Sequence, residues 1–319
     1  MDREANAQQN PYYPFDVWAA PFMLNDEAAR KNNKILQHAV KMKQPIVHHM
    51  LMGPDTYMPE WYKTGTFTNN ELDSMMHWYI KSIITSDDNA HIVDVWNVVN
   101  EALSCKGDGW ESNCKLLQLG FEDDASGLTG EDKVFDKVPV YIRRAFEYAR
   151  KYTNNKLEIR DYANDGLDRG VEFGGGCGAT DDVKTRAFYQ LVKHLLNLNT
   201  PLDAVGFQCH LYQDVNQDFS KLTASIKKFK ELGLKVYLTE IDISKRTSLT
   251  GEAGQKEFVI GLFNAALEGG VDGFFFWGVR DINAWKGPEQ EALIFDNDGR
   301  AKQAYYGVQS VFSQRNTHF

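Results

Sequence analysis

Two glutamates stand where a chain does not ordinarily put them. Glu101 closes the apolar run in "WNVVNEAL" (96–103), and Glu240 sits inside "LTEIDIS" (238–244). Burying a carboxylate costs several kcal/mol, roughly, unless something pairs with it. Each therefore has a structural partner or ends a strand where chemistry happens. Two carboxylates facing one reaction centre are what glycoside hydrolysis needs. One stays protonated to donate to the leaving oxygen and the other stays ionised, so their surroundings must push their pKa values apart. Asn100 offers a neutral hydrogen bond to a sugar hydroxyl, and His210, oriented by Asp242, would hold the ionised glutamate. A metal is the competing use of His and Glu. The chain has no HExxH motif and no His/Cys cluster, so neither a metal nor a cofactor is expected.

Short apolar runs alternate with amphipathic segments. The runs are "FDVWA" (15–19), "PIVHHML" (45–51), "HIVDVWNVV" (91–99), "KLEIRDY" (156–162), "DAVGFQCH" (203–210), "KVYLTEIDI" (235–243) and "DGFFFWGV" (272–279). Residues 181–198 carry Phe188, Leu191, Val192, Leu195 and Leu196 at helical spacing; residues 254–269 do the same with Phe258, Leu262, Phe263 and Ala266. Repeated strand and helix means parallel strands covered by helices. So many units point to an α/β fold of the (β/α)8 TIM-barrel type. No Gly-rich phosphate fingerprint follows the first strand, which argues against a dinucleotide fold. With no linker or composition break, residues 1–319 read as a single catalytic barrel domain with an irregular segment at 1–14. The runs number seven, so the first β/α unit is expected to be reduced or missing. The stretch 104–134 is too long for an ordinary connection and is a functional or partner-binding candidate.

Active sites of such barrels lie at the C-terminal strand ends. The runs end in His48 and His49; Asn100 and Glu101; Arg160, Asp161 and Tyr162; Gln208 and His210; Glu240 and Asp242; and Trp277. Any one of these has a plain structural reading. Six convergent polar ends do not.

Composition narrows the partner. The formal net charge is −9 with no basic block, which argues against nucleic acid or an anionic membrane. No run approaches the roughly 20 apolar residues of a membrane span. The opening "MDREANAQQNPYYP" lacks a signal-peptide core. Aromatics reach 13 %, with seven Trp, the residues that stack on pyranose faces. Cys105 and Cys114 flank a short loop and read either as a disulfide or as two free thiols, while Cys209 reads as inert core.

These residues resemble glycoside hydrolase family 10, the endo-β-1,4-xylanases. "WNVVNEAL" looks like its acid/base strand, "GFQCHLY" (206–212) its Gly-Phe-Gln-x-His strand, and "LTEIDIS" its nucleophile strand. "FWGVRDINAW" (276–285) looks like the last strand with its paired tryptophans; "HHMLM" with "MPEW", and "RDY", are looser matches. The resemblance covers roughly residues 45–310. It implies Glu101 as general acid/base and Glu240 as nucleophile of a retaining reaction, with carboxyls about 5–5.5 Å apart. It implies Asn100 on the sugar 2-hydroxyl and Gln208 and His210 beside the nucleophile, with Asp242 behind His210. His49 would touch the same sugar, Trp277 and Trp285 would wall the glycone side, and Tyr162 is the aromatic that follows Asn-Asp in the family. A polysaccharide partner and a secreted or periplasmic location follow from the substrate class; the oligomeric state does not follow.

The chain departs from the family on the glycone side. The family's Glu-Asn-x-x-Lys reads "PFMLN" here, Pro21 to Asn25, and its Trp-His after the second strand is Gly53-Pro54. Arg160 stands where Asn is usual and Ala163 where a second Asn is usual. Arg160 either meets an acidic or sulfated substituent or pairs with Asp161 or another acid. Three functions compete: a xylanase for substituted or unusual xylan, a hydrolase of another β-glycan or glycoside by the same mechanism, and a barrel that binds carbohydrate without catalysis. The intact glutamate pair speaks against the last.

Overall fold

In a computed structural model, residues 39–86, 92–167, 181–213, 217–245 and 251–314 are described, together with the backbone of a strand at Phe15–Trp18. The stretch Pro21 to Asn25 and the segment 1–14 lie outside the described residues. Two compact units are distinguished, residues 1–161 with 187–204, and residues 162–186 with 205–319.

In the first unit four strands run in the order β1 (Phe15–Trp18), β2 (Ile46–His49), β3 (Val95–Asn100) and β6 (Lys156–Asp161), all parallel. Residues of β2 and β3 are buried without alternation, as expected of parallel strands covered on both faces. Helix α1 (Asn69–Ile84) starts at a capping box in which Thr68 and Glu71 satisfy each other's backbone donors. Its Leu72, Met76, Tyr79, Ile80 and Ile83 form the buried stripe. Helix α2 (Val140–Arg150) follows Pro139 and buries Tyr141, Ile142, Ala145, Phe146 and Ala149. Helix α3 (Asp181–Asn197), which belongs to this unit from residue 187 on, covers the span expected from periodicity, with Phe188, Leu191, Val192 and Leu195 fully buried and Leu196 half-buried.

The long stretch 104–134 leads into an antiparallel hairpin of β4 (Phe121–Asp123) and β5 (Lys137–Pro139). It is pinned to the unit's own helices. Gln190 Oε1 accepts from Val134 N at 2.7 Å while its Nε2 donates to Asp124, and His194 Nδ1 accepts from Ala125 N at 2.9 Å. Arg143 grips Glu122 at 2.7 Å. Cys114 is a buried free thiol, whereas Cys105 is disulfide-bonded. Both sequence readings of that pair, bridged together or both free, are therefore corrected. Proximity in sequence had suggested a bond that Cys114, enclosed by the unit's core, does not make.

In the second unit the strands are β7 (Ala204–Phe207), β8 (His210–Tyr212), β9 (Lys235–Ser244) and β10 (Gly273–Phe276), with β9 between β7 and β10 and β8 also paired to β9. β7 and β8 are two halves of one apolar run. Cys209 breaks it, with φ at 59°. Helix α4 (Ser220–Lys230), α5 (Gly251–Gly269) and α6 (Gln303–Gln314) follow. In α5, Phe258, Leu262, Phe263 and Ala266 are buried as their spacing requires. All seven runs read from the sequence are strands.

Candidate active site

The first unit contributes the ends of β2, β3 and β6. Asn100, 2 % exposed, closes β3, with its N–H donating to Met52 O at 2.9 Å. Glu101 then turns with φ at 55° and donates its N–H to Arg160 O at 3.0 Å. A left-handed conformation is uncommon outside glycine and costs about 1–2 kcal/mol. The same device recurs after β6 at Ala163 (φ 51°) and between β7 and β8 at Cys209. Backbone strain of this kind gathers where a side chain has to be aimed.

Arg160 is fully buried, and its Nε donates to Glu158 Oε1 at 2.7 Å, both side chains 0 % exposed. Its Nη1 lies 3.3 Å from His49 Nδ1, which is 2.9 Å from Asn97 Oδ1. This overturns the reading in which Arg160 meets a substituent of the substrate. Its counter-ion is two residues away on the same strand face, and the ion pair has no solvent-exposed side. His49 belongs to the same network. Glu158 and Asn97 had escaped sequence reasoning. The i, i+2 placement of Glu158 and Arg160 on one strand was the available signal.

His48, pointing the other way on β2, lies 4.9 Å from the Trp96 ring. Burial, then the neighbouring His49, lowers its pKa to about 3. Gly53 stands where the resemblance drawn from the sequence would have placed a Trp. A Cβ there would meet Met50 Cε at 2.6 Å, so Met50 fills space that an aromatic side chain would need.

The second unit holds the tighter cluster. Glu240, 3 % exposed, donates its N–H to Gln208 O at 3.0 Å. His210 Nε2 is 3.3 Å from Glu240 Oε2, and His210 Nδ1 is 2.7 Å from Asp242 Oδ2. Burial alone would lower the His210 pKa; Asp242 and then Glu240 overrule it and raise it to about 9. Asp242 is likewise buried, which would raise its pKa, but His210 and Lys286 bring it down to about 2. Both nitrogens of an imidazolium are donors, so His210 presents a charged N–H to Glu240.

Trp285 Nε1 donates to Asp242 Oδ2 at 2.7 Å, and Lys286 Nζ donates to Asp242 Oδ1 at 2.7 Å. Trp285 is 50 % exposed and its ring lies 5.2 Å from the His210 ring; Trp277 lies 6.5 Å from it. Tyr162 is half-buried under the Lys184 ammonium, 3.0 Å from its ring centroid. Of the expected residues, the structure thus brings together His210, Glu240, Asp242, Trp277 and Trp285, with Gln208 in the break between β7 and β8. His49 and Arg160 meet in the first unit, where Asn100 and Glu101 end the neighbouring strand. Lys286 was missed, although it directly follows Trp285 in "NAWKG". Among the described residues no group of His, Cys, Asp and Glu could hold a metal ion.

The profile of glycosyl hydrolase family 10 matches residues 27–311. The chain belongs to that family. Its fold is accordingly the (β/α)8 barrel, in agreement with the alternation of parallel strands and helices in each unit. Among curated relatives, the exoglucanase XynX of Acetivibrio thermocellus is 32 % identical over 93 % of this chain and 28 % of its own length. Endo-1,4-beta-xylanase A of Thermoanaerobacterium saccharolyticum is 27 % identical over 93 % of this chain and 27 % of its own length. The chain thus spans little more than a quarter of these relatives. A solved mutant structure in complex with xylotriose is 27 % identical, with a TM-score of 0.67 over 86 % of this chain and 80 % of that one. Among the described residues no helix is long and apolar enough to cross a membrane.

Proposed function

We propose that this family 10 chain is a retaining glycosidase that cleaves internal β-1,4 bonds of xylan, its residues 1–319 acting as one catalytic domain. Glu240 attacks the anomeric carbon and forms a glycosyl ester while Glu101 gives a proton to the departing oxygen. Glu101 then takes a proton from water, the water oxygen attacks the same carbon, and the Glu240 carboxylate leaves. Asn100 binds the 2-hydroxyl of the sugar being cleaved, with His49 and Gln208 beside it. Trp277 and Trp285 wall the glycone side, and Tyr162 offers a further ring face. Arg160 supports the site as the counter-ion of Glu158.

The observation that carries this reading is the charged donor behind Glu240. An imidazolium at 3.3 Å, itself held at 2.7 Å by Asp242, favours the ionised form of the carboxylate it touches and fixes its direction. That is what a nucleophile needs and what a carbohydrate-binding surface does not. Named xylanases among the relatives support xylan as the substrate, and the disulfide at Cys105 supports an oxidising, extracytoplasmic location.

Product analysis on linear xylan, glucuronoxylan and mixed-linkage xylan tests the proposal, with Glu240→Ala as control. Short oligosaccharides that vanish in the variant are expected. A folded wild type silent on every xylan but active on a β-glucan would sink the xylan assignment and leave the mechanism. Release of single terminal units only would overturn internal cleavage.

A further inference from the structure

The Asp242 carboxylate, 1 % exposed, takes three donors at the same distance. His210 Nδ1 and Trp285 Nε1 share Oδ2, and Lys286 Nζ holds Oδ1, each at 2.7 Å. The Lys286 side chain is itself only 8 % exposed. Its ammonium lies 4.5 Å from the Tyr212 ring, two residues beyond His210 on β8, and 5.4 Å from the Trp285 ring. Holding a flexible, strongly hydrated ammonium in so dry a slot costs side-chain entropy and solvation. The charges around it explain what offsets that cost. Among the described residues, His210 and Lys286 are the cations and Glu240 and Asp242 the anions joined by hydrogen bonds in one buried cluster, which these four balance and which loses one positive charge without Lys286.

We propose that Lys286 is a positioning residue for the nucleophile, fixing Asp242 so that one carboxylate aims both the His210 imidazolium and the Trp285 indole, and cancelling the surplus negative charge beside Glu240. The inference rests on the reading of Glu240 as nucleophile. It has a geometric and an electrostatic consequence. With Lys286 holding Oδ1, the carboxylate is turned so that Oδ2 receives both His210 and Trp285, and the imidazole behind Glu240 and the exposed sugar-facing ring are set by the same group. Without the cation, every acid and base in the cluster holds its proton more tightly, because a nearby positive charge favours deprotonation. The Tyr212 ring, 4.5 Å from the ammonium, adds a cation–π contact that helps to hold it in place.

The test uses the full chain with Lys286→Met, Lys286→Gln and Lys286→Arg. The His210 ring is titrated by NMR, and kcat/KM on an aryl xylobioside is followed against pH. In Lys286→Met the His210 midpoint is expected to rise by about one pH unit above the wild-type value near 9. The pH profile should move the same way, with a 10- to 100-fold loss at neutral pH. Lys286→Arg should restore both. Lys286→Gln keeps a donor but not the charge, so it should titrate like Met and serves in its place if the Met variant does not fold. An unmoved midpoint and an unmoved profile in a folded, uncharged variant, whatever its amplitude, would overturn the proposal. The titration needs no substrate, so a wild type inactive on xylan would refute the xylanase reading while the midpoint still decides this one.

Discussion

His48 in β2 and His210 at the start of β8 are both buried histidines, and their surroundings shift their protonation in opposite directions. His48 lies against Trp96, and neither of its ring nitrogens has a hydrogen-bond partner among the described residues. Burial therefore wins, and its pKa falls to about 3. His210 is as deeply buried, yet Asp242 and Glu240 hold it protonated to about pH 9. The partners decide what burial alone cannot. The Glu158–Arg160 pair is a third outcome, in which two fully buried groups of opposite charge meet at 2.7 Å on one strand.

The largest effect expected is from breaking that third arrangement. Arg160→Met leaves Glu158 buried without its cation and should cost about 3–5 kcal/mol in urea unfolding. A loss below about 1 kcal/mol, the range of exposed pairs, would mean the pair does not hold these strands.

Next comes His210. Its folded pKa lies above the ordinary 6.5, so the stabilisation it brings is complete below pH 6.5 and is lost as pH climbs through about 9. The shift corresponds to something on the order of 3 kcal/mol. Unfolding at pH 6 and pH 10 should show that loss in the wild type. Asp242→Asn should flatten it and bring the His210 midpoint back toward 6.5. An alkaline slope equally steep in the variant would assign it elsewhere.

His48 should give the mirror image on the acid side. Its folded pKa lies below 6.5, so its contribution is complete above pH 6.5 and is lost as pH falls through about 3. His48→Phe removes the ionisable group and fills the space beside Trp96. It should raise Tm by a few degrees at pH 5, on the order expected for 1 kcal/mol, with little change at pH 8. A gain equal at both pH values would reflect packing alone.

The smallest expected effect concerns backbone strain. Ala163, with φ at 51°, should gain up to about 1 kcal/mol on replacement by Gly, which adopts that conformation freely. No gain would show that the surroundings of Ala163 already compensate for it.

Much of the framework was legible beforehand. Seven apolar runs became strands, and the helices over 181–197 and 251–269 follow the spacing of Phe188, Leu191, Phe258 and Leu262. Hydrophobic periodicity is a local property, so it can be read locally. The strand ends were legible for the same reason. A polar residue after a buried run is visible in one dimension, and Asn100 does end β3, with Glu101 directly after it; Gln208 instead lies between β7 and β8, His210 begins β8, and Glu240 and Asp242 lie inside β9, which runs on to Ser244. The hairpin within 104–139 was not, because what holds it are Gln190, His194 and Arg143 on helices elsewhere in the chain.

By itself, then, the sequence determined the family, the alternation of strands and helices, and which polar residues lie in or beside the buried strands. Only the tertiary structure decided what each of those residues faces. Arg160 could have been a cleft cation until Glu158 was seen against it, Cys105 and Cys114 could have been joined, and the place of Lys286 after Trp285 did not show that it meets Asp242. Lys286 and Asp242 are 44 residues apart in sequence and 2.7 Å apart in space. Charge state and pairing depend on that second distance, which pattern and composition do not encode.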